Sequence, residues 1–287
     1  MIVLSEPPGA PKKLAAIGDI GPRVASAIVM ASLALGTLWV GGEVYIAFWA
    51  AAGLALNWEW QCMIDAPALR PRLALGGMAI LAAAFFAQQM SLDTALLCLL
   101  AAMAPLAWFG GADKRLWSGF GVLYAGAPVM ATICLRQSLE GFDAILWLFA
   151  VVWGTDVMAY FGGRLIGGAK LWPEISPGKT WSGFVVGVLC GSFSGIAALW
   201  ASGGLSRSSG LWLLAVGLAA AMIAQGGDLF ESAVKRRFGV KDSSRLIPGH
   251  GGFMDRLDGF IAAVVAIALL GGFRTGPLEL AIGALRW

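Results

Sequence analysis

Histidine is almost missing from this chain of 287 residues; His250 is the only one. A metal site built on histidine is therefore excluded, as is any Ser-His-Asp constellation requiring a second histidine. Charge is also scarce: 13% of residues are Asp, Glu, Lys or Arg and 59% are hydrophobic, where soluble domains average about 25% and about 45–50%. A water-soluble globule of this composition would lack the polar surface to cover itself. The net charge of +3 is too small to mark a nucleic-acid partner. The four cysteines, Cys62, Cys98, Cys134 and Cys190, sit in or beside separate apolar stretches without CxxC pairing. They read as buried thiols rather than disulfides or zinc ligands. The polar, proline-bearing stretch 1–23 lacks the hydrophobic core of a secretory signal, so the first apolar run is expected to stay as a helix.

Long apolar runs are what the chain has in abundance. A spanning helix needs about 20 mostly apolar residues. Candidates run over 24–40, 43–60, 73–90, 92–109, 117–135, 143–163, 181–201, 209–229 and 257–273, with Gly126-Ala127-Pro128 a potential break in the fifth. Trp39, Trp58, Trp60, Trp108, Trp117, Trp181 and Trp200 fall near run ends, where an interfacial aromatic belt places them. With the N-terminus in the cytoplasm, 16 of the 20 Lys and Arg residues fall on the inside and only Arg136, Arg207, Arg274 and Arg286 outside, as the positive-inside rule requires. The expectation is an all-α polytopic membrane protein of about nine spans with the C-terminus outside, in a bacterial inner membrane. It divides into a cytoplasmic segment 1–23, N-terminal helices over 24–140 and a functional half over 141–287.

The unusual residues crowd into two inside connections. Asp156 has apolar residues on both sides; a carboxylate at membrane depth costs at least about 2.5–3.5 kcal/mol and marks a function or a buried partner, of which Arg164 is one candidate. Downstream, Ser176-Pro177-Gly178-Lys179-Thr180 precedes a helix expected to start near Thr180, and free N–H groups there favour an anion. In the second connection, Asp228, Glu231, Ser232 and Lys235 share one face if the eighth helix continues through them. Asp255 and Asp258 do the same in the first turn of the ninth. Carboxylates from two neighbouring helices suit a hard divalent cation such as Mg²⁺, usually shared with substrate phosphates. Lysines and arginines between them suit the remaining phosphate charge.

The run from Ser232 to Asp258, SAVKRRFGVKDSSRLIPGHGGFMDRLD, resembles the signature of phosphatidate cytidylyltransferases, also called CDP-diacylglycerol synthases. Ser232, Lys235, Arg236, Lys241, Asp242, Pro248, His250, Gly251, Gly252, Asp255, Arg256 and Asp258 meet its elements. The resemblance extends to Asp156–Arg164 and Ser176–Trp181 and so covers the C-terminal half. Gly178 and Ser182 depart from residues the family often has, so no role passes to either. The resemblance implies transfer of a cytidylyl group from CTP to phosphatidic acid with Mg²⁺, at a site open to water and sideways to lipid. It implies Asp228, Lys235, Asp255 and Asp258 as catalytic residues. Asp228 and Asp255 would hold the metal, with Glu231 and Asp258 in or beside its shell. Lys179, Thr180, Ser232, Arg236, Lys241, His250, Arg256 and Asp156 would contact substrate.

Three other readings meet the same residues less well. A polyprenol-type lipid kinase also joins a nucleotide to a membrane acceptor but moves the γ-phosphoryl group. A CDP-alcohol phosphotransferase needs an aspartate pattern opening with Asp-Gly that is missing here. An ion-coupled transporter often shows an internal repeat, whereas these residues crowd into one half. The carboxylate count leaves room for a second cation. Gly187, Gly191 and Gly195, at every fourth position, suit close helix packing, within one subunit or between the two of a homodimer.

Overall fold

A backbone crossing hydrocarbon must satisfy its own N–H and C=O groups, and helices do so within one segment. The structure, a computed structural model, describes residues 20–204, 210–247 and 251–286. Residues 1–19, Arg207, Pro248 and His250 therefore lie outside the described residues. The helices are α1 (Ile20–Val40), α2 (Gly42–Met63), α3 (Leu69–Gln88), α4 (Leu92–Phe109), α5 (Gly111–Gln137), α6 (Gly141–Leu165), α7 (Trp181–Ser202), α8 (Gly210–Arg237), α9 (Met254–Thr275) and the short α10 (Leu280–Leu285). The chain is an all-α polytopic membrane protein: seven of these helices, α3 to α9, are long and apolar enough to cross a membrane. In α2 the apolar character is diluted by Asn57, Glu59 and Gln61, all buried against protein.

Two features depart from the pattern of apolar runs. Between α6 and α7 the chain forms an antiparallel hairpin, β1 (Lys170–Trp172) with β2 (Ser176–Thr180), pairing Lys170 with Thr180. Pro177 is tolerated there because a two-stranded sheet consists of edges. Second, α5 runs unbroken through Gly126-Ala127-Pro128. Proline is tolerated in such helices where neighbours surround it, and α5 is the most deeply buried of the seven. Thr132 Oγ1 donates to the Pro128 carbonyl.

The two halves of the chain interlock. Trp49 of α2 stacks on Phe260 of α9 with centroids 5.2 Å apart, and Phe149 of α6 lies 5.1 Å from Phe260. At one end of the bundle, Arg136 reaches back to the Leu38 carbonyl and Glu140 pairs with Arg286. At the other end, Lys114 donates to the Asp65 carbonyl and Arg72, fully buried, holds the Ala66 and Pro67 carbonyls. Trp39, Trp58, Trp108, Trp181 and Trp200 are exposed, as an aromatic belt requires. Trp60 is not: it is fully buried, its indole N–H donating to the Trp117 carbonyl at 2.8 Å, so its position near a run end serves the core. The four cysteines are free thiols, of which only Cys134 is buried.

The glycine stripe of α7 lies against α6. An added Cβ at Gly187 would stand 2.8 Å from the Ala159 Cβ, and one at Gly195 would stand 2.7 Å from the Trp147 indole nitrogen. At Gly191 it would lie 2.7 Å from the Val151 carbonyl oxygen and against the Thr155 hydroxyl. The stripe is used within the chain and so gives no argument for a dimer. Because backbone cannot yield as a flexible side chain can, Gly191→Leu is expected to destabilise the protein by about 3 kcal/mol. A thermal unfolding midpoint in detergent equal to that of the wild type would contradict this.

Candidate active site

At the end of the bundle that carries the hairpin, α6, α7, α8, α9 and the hairpin enclose a cleft of about 860 Å³. Its walls carry Asp156 from α6, Lys179 and Thr180 from β2, Asp228 and Lys235 from α8, and Asp255, Arg256 and Asp258 from α9. Eight of the expected site residues thus meet in one cavity although they are spread over a hundred positions of sequence. Asp156 is exposed to this cleft. Arg164, its candidate partner, donates instead to the Tyr160 hydroxyl at 2.7 Å.

The helical spacings do what their periodicity requires. α8 continues to Arg237, bringing Asp228, Glu231, Ser232 and Lys235 along one side. The Ser232 hydroxyl stands 3.4 Å from Asp228 Oδ1. Lys235 Nζ lies 2.7 Å from Glu231 Oε2 and 2.6 Å from Asp255 Oδ1, so one ammonium joins α8 to α9. Glu231 is fully buried behind it. Lys179 Nζ lies 2.6 Å from Asp228 Oδ2 and ties the hairpin to α8 in the same way. Thr180 caps α7, its hydroxyl accepting from the Gly183 N–H at 3.1 Å, and its role here is structural as well as lining. Arg236 and Lys241 are exposed and are not among the walls of the cleft; Arg236 donates to the Val240 carbonyl. His250 lies outside the described residues.

Glu59 was not among the expected residues, yet it sets the geometry of α9. Its side chain is fully buried. Oε1 accepts from the Ser244 hydroxyl at 2.6 Å and the Phe253 N–H at 2.7 Å, and Oε2 from the Met254 N–H at 2.6 Å and the Ser243 hydroxyl at 3.2 Å. The Phe253 and Met254 N–H groups belong to the orphan donors of a helix N-terminus, where negative charge is also favoured by the dipole. Ser243 continues the network: its N–H donates to Asp255 Oδ2 at 3.0 Å, its single hydroxyl proton is shared between Glu59 Oε2 and that same oxygen at 3.0 Å, and Asp255 Oδ2 also accepts from the Gly252 N–H at 2.7 Å. The two glycines are required by this arrangement. Gly251 has φ +84°, and an added Cβ at Gly252 would collide with the Ser243 hydroxyl and stand 2.6 Å from Glu59 Oε1. The only trace of Glu59 in the sequence was an acid within an apolar run. Lys170 and Gln225 also line the cleft unanticipated; as an inside-facing charge and a helix amide, they carried no pattern that set them apart.

The donor set agrees in kind with Mg²⁺, which prefers carboxylate oxygens. Among the described residues no three acidic, cysteine or histidine side chains converge closely enough to cage an ion. That suits a cation shared with substrate phosphates rather than one held by protein alone. The ammonium groups 2.6 Å from Asp228 and Asp255 mark both carboxylates as places where positive charge is stabilised.

Residues 21–273 match the model of the cytidylyltransferase family. The chain is 38% identical over 267 residues to the phosphatidate cytidylyltransferase of Brucella abortus biovar 1, covering 91% of this chain and 96% of that protein. It is also 48% identical over 150 residues to the phosphatidate cytidylyltransferase of Staphylococcus saprophyticus, covering 52% of this chain and 56% of that one. Glu59→Gln keeps the shape of the side chain but turns a donor toward groups that need an acceptor. It is expected to destabilise the protein by about 2–3 kcal/mol and to loosen the loop before α9. Unchanged hydrogen exchange at Phe253 and Met254 would refute the capping role.

Proposed function

This chain belongs to the cytidylyltransferase family, and from that footing we propose how its cleft performs the reaction. The enzyme is a nucleotidyltransferase that moves the cytidylyl group of CTP to phosphatidic acid, giving CDP-diacylglycerol and pyrophosphate for phospholipid synthesis. The observation that carries the reading is the convergence of acids and bases from five elements on one cleft at the end of an apolar bundle.

The nucleophile is the phosphomonoester of the lipid, already ionised near neutral pH, so no strong general base is needed. One of its oxygens attacks the α-phosphorus of CTP, a P–O bond forms, and the bond to pyrophosphate breaks. Catalysis then rests on positioning and charge neutralisation. Lys179, Lys235 and Arg256, three of the five cations that line the cleft, are assigned to the phosphates. Lys179 and Lys235 are held at the cleft by Asp228, Glu231 and Asp255. Ser232 and Thr180 offer hydroxyls at the rim of the same charges. Asp228, Asp255 and Asp258 are assigned to Mg²⁺, and Glu231, buried behind Lys235, to orienting that lysine. The cation would supply Lewis-acid neutralisation of the triphosphate. Arg236 and Lys241 stand outside the cleft wall and are left out of the assignment.

We assign the cleft to the cytoplasmic side, where CTP arrives; on the expected alternation of nine spans, 16 of the 20 Lys and Arg residues would fall on that side. The bacterial relatives make an inner membrane the natural location. Purified protein in phosphatidate-containing micelles, given Mg²⁺ and CTP labelled at the α-phosphate, is expected to place label in lipid. Label confined to nucleotide would indicate a lipid kinase, and no turnover a transporter. Asp255→Ala is expected to lower the rate by at least about 100-fold, and chelation of divalent cations to abolish it; full activity in the variant would sink the assignment.

A further inference from the structure

The five cations of the cleft all stand at helix ends or on the hairpin: Arg164 closes α6, Lys170 and Lys179 lie on β1 and β2, Lys235 is in the last turn of α8 and Arg256 in the first of α9. Further in, the wall changes character. Gln225 lies three residues before Asp228 on α8, one helical turn deeper into the bundle. Ala159 of α6 and Phe184 of α7 line the cleft with it. The acid nearest this level on α6 is Asp156, three residues before Ala159.

Gln225 is 4% exposed, and its amide is held on two sides. Nε2 donates to the Phe184 carbonyl at 3.1 Å. α7 also approaches so closely that an added Cβ at Gly187 would stand 3.1 Å from that nitrogen. A primary amide donates only through nitrogen and accepts only through oxygen. Turned over, it would set Oε1 against the Phe184 carbonyl, two acceptors in contact. The α7 backbone therefore decides which end of the amide is which, and Oε1 is left to the cleft. Among the described residues Oε1 accepts no hydrogen bond, and unlike the Tyr124 hydroxyl it is open rather than enclosed.

A fixed acceptor oxygen of this kind recognises an N–H group. Phosphatidic acid and pyrophosphate carry none, whereas the cytosine ring carries an exocyclic amine. We propose that Gln225 reads the base of the nucleotide, its Oε1 accepting from the cytosine amine, and so favours CTP over UTP. The assignment rests on the cytidylyl-transfer reading above and carries it from the triphosphate to the base. The charged end of CTP lies among the cations at the helix ends, and its uncharged ring lies one turn deeper beside an amide and an aromatic residue. Uracil has a carbonyl oxygen where cytosine has the amine, so UTP would oppose two acceptors and leave both unpaired. A site built for a hydrogen bond rejects the analogue that cannot make it far more strongly than an apolar pocket would.

The test uses the full-length enzyme in phosphatidate micelles with Mg²⁺ and either CTP or UTP labelled at the α-phosphate. The wild type is expected to favour CTP by at least about tenfold in kcat/KM. Gln225→Met keeps the length of the side chain and removes the acceptor. It is expected to lower the CTP-to-UTP ratio about tenfold, through KM for CTP, with KM for phosphatidate and the Mg²⁺ requirement unchanged. Gln225→Asn draws the amide back by one methylene and is expected to shift the ratio in the same direction should the first variant fold poorly. An equal loss with both nucleotides overturns the proposal, since a purely structural role or a contact to the ribose would act on both alike. An unaltered ratio with a raised Mg²⁺ requirement also overturns it and would make Oε1 a cation ligand. A wild type that uses UTP as well as CTP leaves no discrimination for Gln225 to make, and the proposal falls. If the wild type transfers label from neither nucleotide, the cytidylyl-transfer reading itself fails, and the base assignment with it.

Discussion

Glu59 projects from α2 into a space without solvent and accepts four hydrogen bonds there, two from the start of α9 and two from the serines of the preceding loop. All four contacts are donors, the arrangement a carboxylate wants. A buried carboxylate without them would be severely penalised, so the helix end, the loop and α2 have to come together as a unit. The consequence reaches the cleft directly. Ser243, held by Glu59, also holds Asp255, and Asp255 in turn fixes Lys235. The N-terminal half of the chain carries no recognisable signature, yet it supplies the carboxylate that sets the register of the signature's last helix.

Within the cleft, two lysines already face acids before any substrate arrives. Lys179 faces Asp228, and Lys235 faces both Glu231 and Asp255. Breaking one partner of the buried Lys235 group is expensive, on the order of 3–5 kcal/mol, which holds α8 and α9 in mutual register, while the partly exposed Lys179–Asp228 pair ties in the hairpin. The same balance suits a site that must accept a triphosphate. Acids that now face lysines present oxygens to a cation, and the lysines present charge to phosphate. Protein stability and substrate binding draw on the same side chains.

The bundle around the site is built to let two media meet. α6 and α7 approach through Gly187, Gly191 and Gly195 until side chain meets backbone, giving a rigid wall on one side. On another side α5, α8 and α9 leave an apolar groove ending at Asp258. An enzyme joining a water-borne nucleotide to a membrane-held lipid requires both.

Much of this was legible in the residues. Among the described residues each of the nine apolar runs forms a long helix, seven of them long and apolar enough to cross a membrane, because periodicity and length are local properties. The shared face of Asp228, Glu231, Ser232 and Lys235 followed from helical spacing, and the cap at Thr180 from the hydroxyl before α7. Other features had no local sign. Ser-Pro-Gly-Lys reads as a loop, and only its pairing with Lys170–Trp172 makes it a strand that carries Lys179 to Asp228. Trp60 looked interfacial until α5 covered it. Exposed Arg236 and Lys241 carry the same charge type as Lys235, and only the fold decides which cations face the cleft. Glu59 stands 195 positions before Met254, and no spacing rule links residues so far apart. Sequence determines what each helix is, since that depends on neighbours a few residues away; which helix ends meet depends on packing of the whole chain, and there the site is completed.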